Sequence, residues 1–552
     1  MSRRCWNAGL LMLGLAVAAP SAAQVPLDRA DPTIAERQLP SNPPESVSPA
    51  PSLKIDAPTA QAETGRAITG MISAISVEGR GEIPAAAFAD AVAEAIGRTL
   101  SRDELTHLAS TIGAVARRQG YPFATATIPS QALDNGVLRV SLDLGRIDAV
   151  RVIGAANPQA DRLLAARLVT GQGVRQRQLE AALLLVSDIP GLRVKDTRYV
   201  RQDGFGILLV TIASDRAEAY AQLDNRGSRE IGPIRSTLLG SVRGVATSGD
   251  ELAAIVSQTP LHPSEFVFVR GRYSAPVDNR GSIVSASVSY GHSNPGGSLR
   301  SLDITGDSLD VAASYTRPLI RSRRRSLWAQ FEFRALTSDQ HLSEILLRRD
   351  RIATFSGALN GAQLVAGGVL RGEAAVVAGL PLAGATHAGD FLASRLDGDA
   401  RFVTGSYLID WTATLHGPFS VVLASAGQVA SRPLLATMEI GLGGPAFGRG
   451  YDYAERTGDN GIMGALEVRA DVARIVPKVI SRLQTYAFVD GGTVGNLRDG
   501  VGGGSLASAG AGLRAGRGRL NGMLELAFPL NADRFDTRDR SPRFSARLSL
   551  TL

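Results

Sequence analysis

Two short stretches carry the residue types that could act as a device. Residues 448–461 read GRGYDYAERTGDNG, with Arg449 between Gly448 and Gly450 and an aromatic ring, Tyr451, directly after. A guanidinium donates through a planar fork that matches a carboxylate, which a lysine does not reproduce. Glycines on either side let the backbone turn tightly and approach a wall closely. The second stretch is YAFVDGGTV, residues 486–494. In a strand, Tyr486, Phe488 and Asp490 share one face, while Ala487 and Val489 share the other. Gly492 follows on the Asp490 face. A carboxylate turned to an interior is costly unless it is paired or solvated. Arg449 is the obvious partner for Asp490; the competing reading is an aspartate wetted by a water-filled interior. If the pair is direct, exchanging the two charges is expected to restore part of the function.

Groups for catalysis are not brought together in the same way. The six histidines are scattered, with no HExxH or paired-ligand spacing. There is no GxSxG elbow. The glycine-rich stretches GLGGPAFGRG and GVGGGS lack the strand–loop–helix setting of a phosphate loop. No enzyme activity, cofactor or metal is expected. Cys5 is the only cysteine and lies in an amino-terminal segment with the layout of a secretory signal. Arg3 and Arg4 precede an apolar run from Leu10 to Ala19, and small residues Ser21, Ala22 and Ala23 follow. Cleavage after Ala23 is expected, leaving an exported chain without a disulfide, a thiolate metal site or a cysteine nucleophile. The net charge of +7 then falls to +5, a mild excess. The basic run Arg321-Ser322-Arg323-Arg324-Arg325 lacks aromatic interleaving, so a turn at a membrane surface suits it better than nucleic acid.

What must position Arg449 and Asp490 is a sheet. From about residue 216 to 552 the helical periodicity stops and apolar and polar residues alternate. Ala217, Ala219, Ala221 and Leu223 alternate with Glu218, Tyr220, Gln222 and Asp224; Leu466 and Val468 alternate with Glu467 and Arg469. At the carboxyl end Phe544, Ala546, Leu548, Leu550 and Leu552 alternate with Arg543, Ser545, Arg547, Ser549 and Thr551. One face suits lipid and the other a polar interior. No stretch after the signal approaches the ~18 apolar residues of a spanning helix. At ~10 residues per tilted strand, this length predicts an antiparallel transmembrane β-barrel of about 16 strands.

Ahead of the barrel stand two α+β units. In the first, AITGMISAISVEG reads as a strand and AAAFADAVAEAIGRTL as a helix. Ser101 and Glu104 form a capping box before a second helix whose Leu105, Leu108, Ile112 and Val115 share a face. Two strands follow, with Asn135-Gly136 as the turn. The same strand–helix–helix–strand–strand order recurs from Asp148, closing in a hairpin around Asp203-Gly204. Each hairpin edge offers unpaired backbone groups to an incoming strand. Between the signal and these repeats, Pro40–Ser52 is Pro/Ser-rich and reads as an extended tether. Asp31-Pro32-Thr33 could begin a short helix before it, with disorder as the alternative.

This order resembles the outer-membrane transporters of two-partner secretion, the FhaC/ShlB/HecB-type haemolysin secretion/activation proteins, which are relatives of the BamA-type barrels. The stretch GYPFATATIPSQALDNGVLRVSLDLGRID resembles the end of that family's first POTRA domain, and AYAQLDNRGSREIG its first barrel strand. The resemblance implies a signal peptide at 1–23, a short plug helix and linker at 24–65, POTRA domains at 66–147 and 148–214, and a barrel over 215–552. It also implies a loop around 441–461 folded inward. The family's loop-tip motif falls on Gly448, Arg449, Gly450 and Tyr451, and its strand motif on Phe488, Asp490 and Gly492, which makes Arg449–Asp490 the expected contact. Two departures stand out: Gly448 replaces a valine, and Leu552 a phenylalanine. The implied function is a pore in the outer membrane that exports a partner exoprotein (an adhesin, haemolysin or contact-dependent toxin) captured by periplasmic POTRA domains. Outer-membrane lipid and the barrel-assembly machinery are the other expected partners, and no nucleic acid is. The alternatives are an insertase of BamA type, a passive porin or an outer-membrane enzyme.

Overall fold

The computed structural model describes residues 31–33, 37, 52–55, 70–202, 204–472, 480–498 and 500–552. The signal segment and most of the tether lie outside the described residues.

The first repeat contains β2 (Ala74–Glu78), a 3-10 turn, α1 (Ala89–Ala93), α2 (Arg102–Arg118), β3 (Thr125–Thr127) and β4 (Val137–Asp143). The stretch expected as one long first helix is therefore a turn over Ala85–Phe88 and a short α1. Gly97 interrupts it with a left-handed φ of 79°, which ends helical geometry. The capping box at Ser101 forms as expected, with Ser101 N donating to Glu104 and Glu104 N to Ser101 Oγ. Leu105, Leu108, Ile112 and Val115 are buried on the face of α2 that the spacing indicates.

In the second repeat the elements are β5 (Ala149–Gly154), α3 (Pro158–Leu168), α4 (Gln176–Ser187), β6 (Leu192–Gln202) and β7 (Phe205–Ser214). Its sheet has one strand more than the repeat supplies. Residues Ser52–Ile55, at the end of the tether and just beyond it, form β1, which pairs in parallel with β6 from Asp196 to Tyr199. The sheet order is β1-β6-β7-β5, so the hairpin edge expected to be open is covered by the chain itself.

Sixteen strands then close into an antiparallel barrel, the number the length predicts. They are β8 (Ala217–Asp224), β9 (Arg235–Arg243), β10 (Glu251–Gln258), β11 (Phe266–Pro276), β12 (Ile283–Ser293), β13 (Ile304–Arg321), β14 (Arg325–Leu342) and β15 (Ile345–Val365). After them come β16 (Gly368–Gly379), β17 (Val403–Thr414) and β18 (Phe419–Ala430). Following an inserted hairpin of β19 (Ile440–Leu442) and β20 (Arg456–Gly458), the wall resumes with β21 (Asn460–Asp471), β22 (Arg482–Gly495) and β23 (Gly504–Arg517). It is completed by β24 (Leu520–Pro529) and β25 (Arg543–Thr551). β25 pairs with β24 on one side and with β8 on the other, from Arg547↔Asp224 to Thr551↔Tyr220, so neither strand is left as an edge. Outward residues such as Leu238, Val288, Leu408, Phe544 and Leu548 are exposed large hydrophobics, an apolar exterior that suits lipid.

The second repeat sits under the barrel. Asp188, just after α4, takes both prongs of Arg321 at 2.6 and 2.8 Å. Gln159 Nε2 donates to Asp278 O at 3.0 Å in the β11–β12 turn. The basic run forms the β13–β14 turn, and its first arginine fixes the second repeat against the barrel.

Candidate functional site: the inward loop tip and its wall

Between β18 and β21 the chain leaves the wall, and the short β19–β20 hairpin forms the stem of this excursion. The tip reaches the inner faces of β21 to β24. Gly448 has φ of 78°, which an L side chain adopts only under strain. Gly450 meets the wall more closely: a Cβ there would lie 3.0 Å from Pro529 N and 3.1 Å from Ser508 Cβ. Tyr451 is fully buried; its hydroxyl accepts from Ala532 N at 3.2 Å and lies 3.1 Å from Ala532 O.

Asp490 is on β22, turned inward with Tyr486 and Phe488, while Ala487 and Val489 face out. Gly492 lies two residues further on, opposite Met463 of β21. Arg449 Nε stands 3.1 Å from Asp490 Oδ2. That contact is an ion pair without hydrogen-bond alignment, because both atoms lack a geometrically sound hydrogen-bond partner. The well-aligned acceptors on Asp490 serve the backbone instead. Its Oδ1 accepts from Gly448 N at 3.0 Å, from Arg449 N at 3.2 Å and from the Ser508 hydroxyl.

The guanidinium's shortest contact is with Glu467 of β21, whose Oε2 lies 2.7 Å from Arg449 Nη1. Glu525 of β24 stands 3.4 Å from the same nitrogen. Phe488 lies under the guanidinium, 4.1 Å from its ring centroid, a distance suited to cation–π attraction. Glu467 is shared further with Arg469 at 2.6 Å and Arg514 at 2.8 Å, and Glu525 with Arg226 at 2.8 Å and the Tyr486 hydroxyl at 2.9 Å. Four guanidiniums therefore surround three carboxylates. Such an arrangement fixes register and orientation more than it adds net stability.

The two nominated motifs are thus brought together, but Glu467 and Glu525 went unnominated. Glu467 was already legible as facing inward from its alternation with Leu466 and Val468. The missing information was strand register, which places Glu467 opposite Phe488 and Asp490 opposite Ser508.

A closed sixteen-strand barrel with a lipid-suited exterior, an inward loop and two α+β repeats, the second of them docked beneath it, defines a membrane β-barrel carrying amino-terminal α+β units. The family model for haemolysin secretion/activation proteins ShlB/FhaC/HecB matches residues 206–515, and that for the ShlB-type POTRA domain matches residues 71–143. The chain belongs to this family of outer-membrane secretion transporters. It is 24% identical over 375 residues to the heme/hemopexin transporter protein HuxB of Haemophilus influenzae (strain 86-028NP), a match covering 66% of each chain. It is 22% identical to the outer membrane transporter CdiB of Escherichia coli O6:K15:H31 (strain 536 / UPEC), over 83% of this chain and 79% of that one. The solved structure of CdiB from Escherichia coli shares the fold, with a TM-score of 0.70 at 19% identity, over 96% of this chain and 98% of the other.

Proposed function

We propose that the barrel conducts an unfolded partner exoprotein from the periplasm to the cell surface, and that the Arg449 tip holds the inward loop in the state that permits passage. The observation that carries this is the arginine itself, lodged inside a closed barrel among carboxylates of two wall strands besides Asp490. An adhesin, a haemolysin or a contact-dependent toxin fits as partner, and no catalytic step is assigned to the chain. Outer-membrane lipid surrounds the apolar exterior, and the barrel-assembly machinery inserts the protein during biogenesis.

The POTRA repeats capture the partner by strand addition. Support comes from the sheet orders β2-β4-β3 and β1-β6-β7-β5, which leave β1, β2, β3 and β5 as edges among the described residues. The amino-terminal element acts as a plug at rest. This rests on Asp31, whose Oδ2 accepts from Ser338 Oγ of β14 at 2.8 Å, and on Arg37, which donates to Glu439 O at 2.8 Å. Folding of the emerging chain outside supplies direction, since no nucleotide is available outside the inner membrane.

Deleting residues 67–147 separates capture from conduction. Partner export is expected to stop while purified barrels still conduct ions in planar bilayers. Export at the wild-type level from the deleted protein would refute capture by the first repeat.

A further inference from the structure

A second buried charge cluster lies at the extracellular end of the barrel, apart from the Arg449 tip. Arg395, in the 380–402 connection between β16 and β17, is 4% exposed, and Asp459, just before β21, is fully buried. Arg395 Nη1 lies 2.9 and 3.0 Å from the two oxygens of Asp459 and 3.1 Å from Glu439 Oε1. Its Nε donates to Asp397 at 2.7 Å, and its Nη2 to Leu497 O at 2.5 Å. Asp459 in turn accepts from Leu434 N and Leu497 N, each at 2.7 Å. One guanidinium and one carboxylate thus tie four surface segments together: 380–402, 431–439, the residue before β21, and the β22–β23 connection. Beside them Ala393, Ala400, Phe402, Leu434 and Leu435 form a buried apolar layer against Ile352 of β15.

We propose that this cluster is a latch on the extracellular mouth, closed at rest and undone when a polypeptide leaves. Its charge balance makes it two-state. Asp459 is fully buried with Arg395 as its cation, and Glu439 and the half-buried Asp397 reach the same guanidinium, so the arrangement holds with Arg395 in place and leaves the Asp459 carboxylate buried without its counter-charge when the arginine withdraws. Each segment is bound through backbone amides or carbonyls as well as side chains, so the segments separate together. Glu439 links the latch to the lumen: its carboxylate is held by Arg395 while its carbonyl accepts from Arg37 of the amino-terminal segment. Withdrawal of that segment removes one of the bonds that hold Glu439 in place.

The inference rests on the lumen being the export path, and its test keeps the two claims apart. Arg395→Ala protein in planar bilayers is expected to show open events at least ten times more frequent than wild type; unchanged conductance would overturn the latch. A second variant leaves the arginine in place. Ser394 Oγ lies 3.0 Å from Ala436 N, so cysteines at these positions are close enough to bridge the first two segments. Ser394→Cys/Ala436→Cys, oxidised, is expected to arrest export and to recover it on reduction. Wild-type export from the oxidised protein would show that the segments need not part, and would overturn the latch even if Arg395→Ala does not fold. Arg395-dependent conductance in a cell that exports no partner would uphold the latch and sink the export reading.

Discussion

At the residue scale, Arg449 has more to hold it than a single aspartate. Asp490 binds the loop through two backbone amides and is itself held by Ser508 of β23, while Glu467 supplies the closest counter-charge to the guanidinium. The two acids therefore have different tasks, and exchanging charges does not preserve either. In the double variant Arg449→Asp/Asp490→Arg, an aspartate at 449 faces Glu467 and Glu525, and an arginine at 490 faces amide donors. We expect export no better than in Arg449→Ala alone at matched amounts of folded barrel; partial recovery would show that the two side chains act as an isolated pair. This reverses the expectation drawn from spacing alone. Alternation showed which way each side chain points, so Asp490 and Glu467 were both legible as inward. It carried no register, so Glu467 at 2.7 Å was passed over for Asp490, whose nitrogen contact is 3.1 Å.

At the element scale, the tether behaves as more than a spacer. Proline and serine mark the Pro40–Ser52 stretch as extended, and extended chain is what an open sheet edge accepts. No residue pattern in SLKI distinguishes a docked strand from a free one, so β1 emerges only from its pairing with β6. Leu53→Pro places a residue without an amide donor in that strand. The expected result is faster hydrogen exchange at the Asp196–Tyr199 amides of β6 that bond to β1, with β7 unchanged; equal exchange in both proteins would show that β1 does not protect the edge. The first helix of the first repeat is the other element that sequence rendered poorly. Its alanines have high helix propensity, yet Gly97 and the early 3-10 turn confine α-helix to Ala89–Ala93.

At the scale of the whole molecule, the barrel was the most legible part, because lipid outside and a polar lumen inside impose a period-two pattern on every strand. Strand number followed from length. Contacts made by connections were not legible, since they depend on which loops meet in space: the Asp188–Arg321 docking beneath the barrel and the Arg395–Asp459 cluster above it both join segments far apart in sequence. On the proposed reading the channel is governed by an inward loop within and a latch at the mouth, above a repeat docked against the barrel. The inward loop is central. Removing one partner of a buried charge network costs about 3–5 kcal/mol, enough to turn a dominant loop position into a minor one. The most direct measurement is partner protein in the medium from cells carrying Arg449→Ala, with the variant present in the outer membrane as folded barrel in wild-type amount. We predict that export falls at least tenfold. Export at the wild-type rate would contradict the assignment of the loop tip as the part of the pore that passage requires.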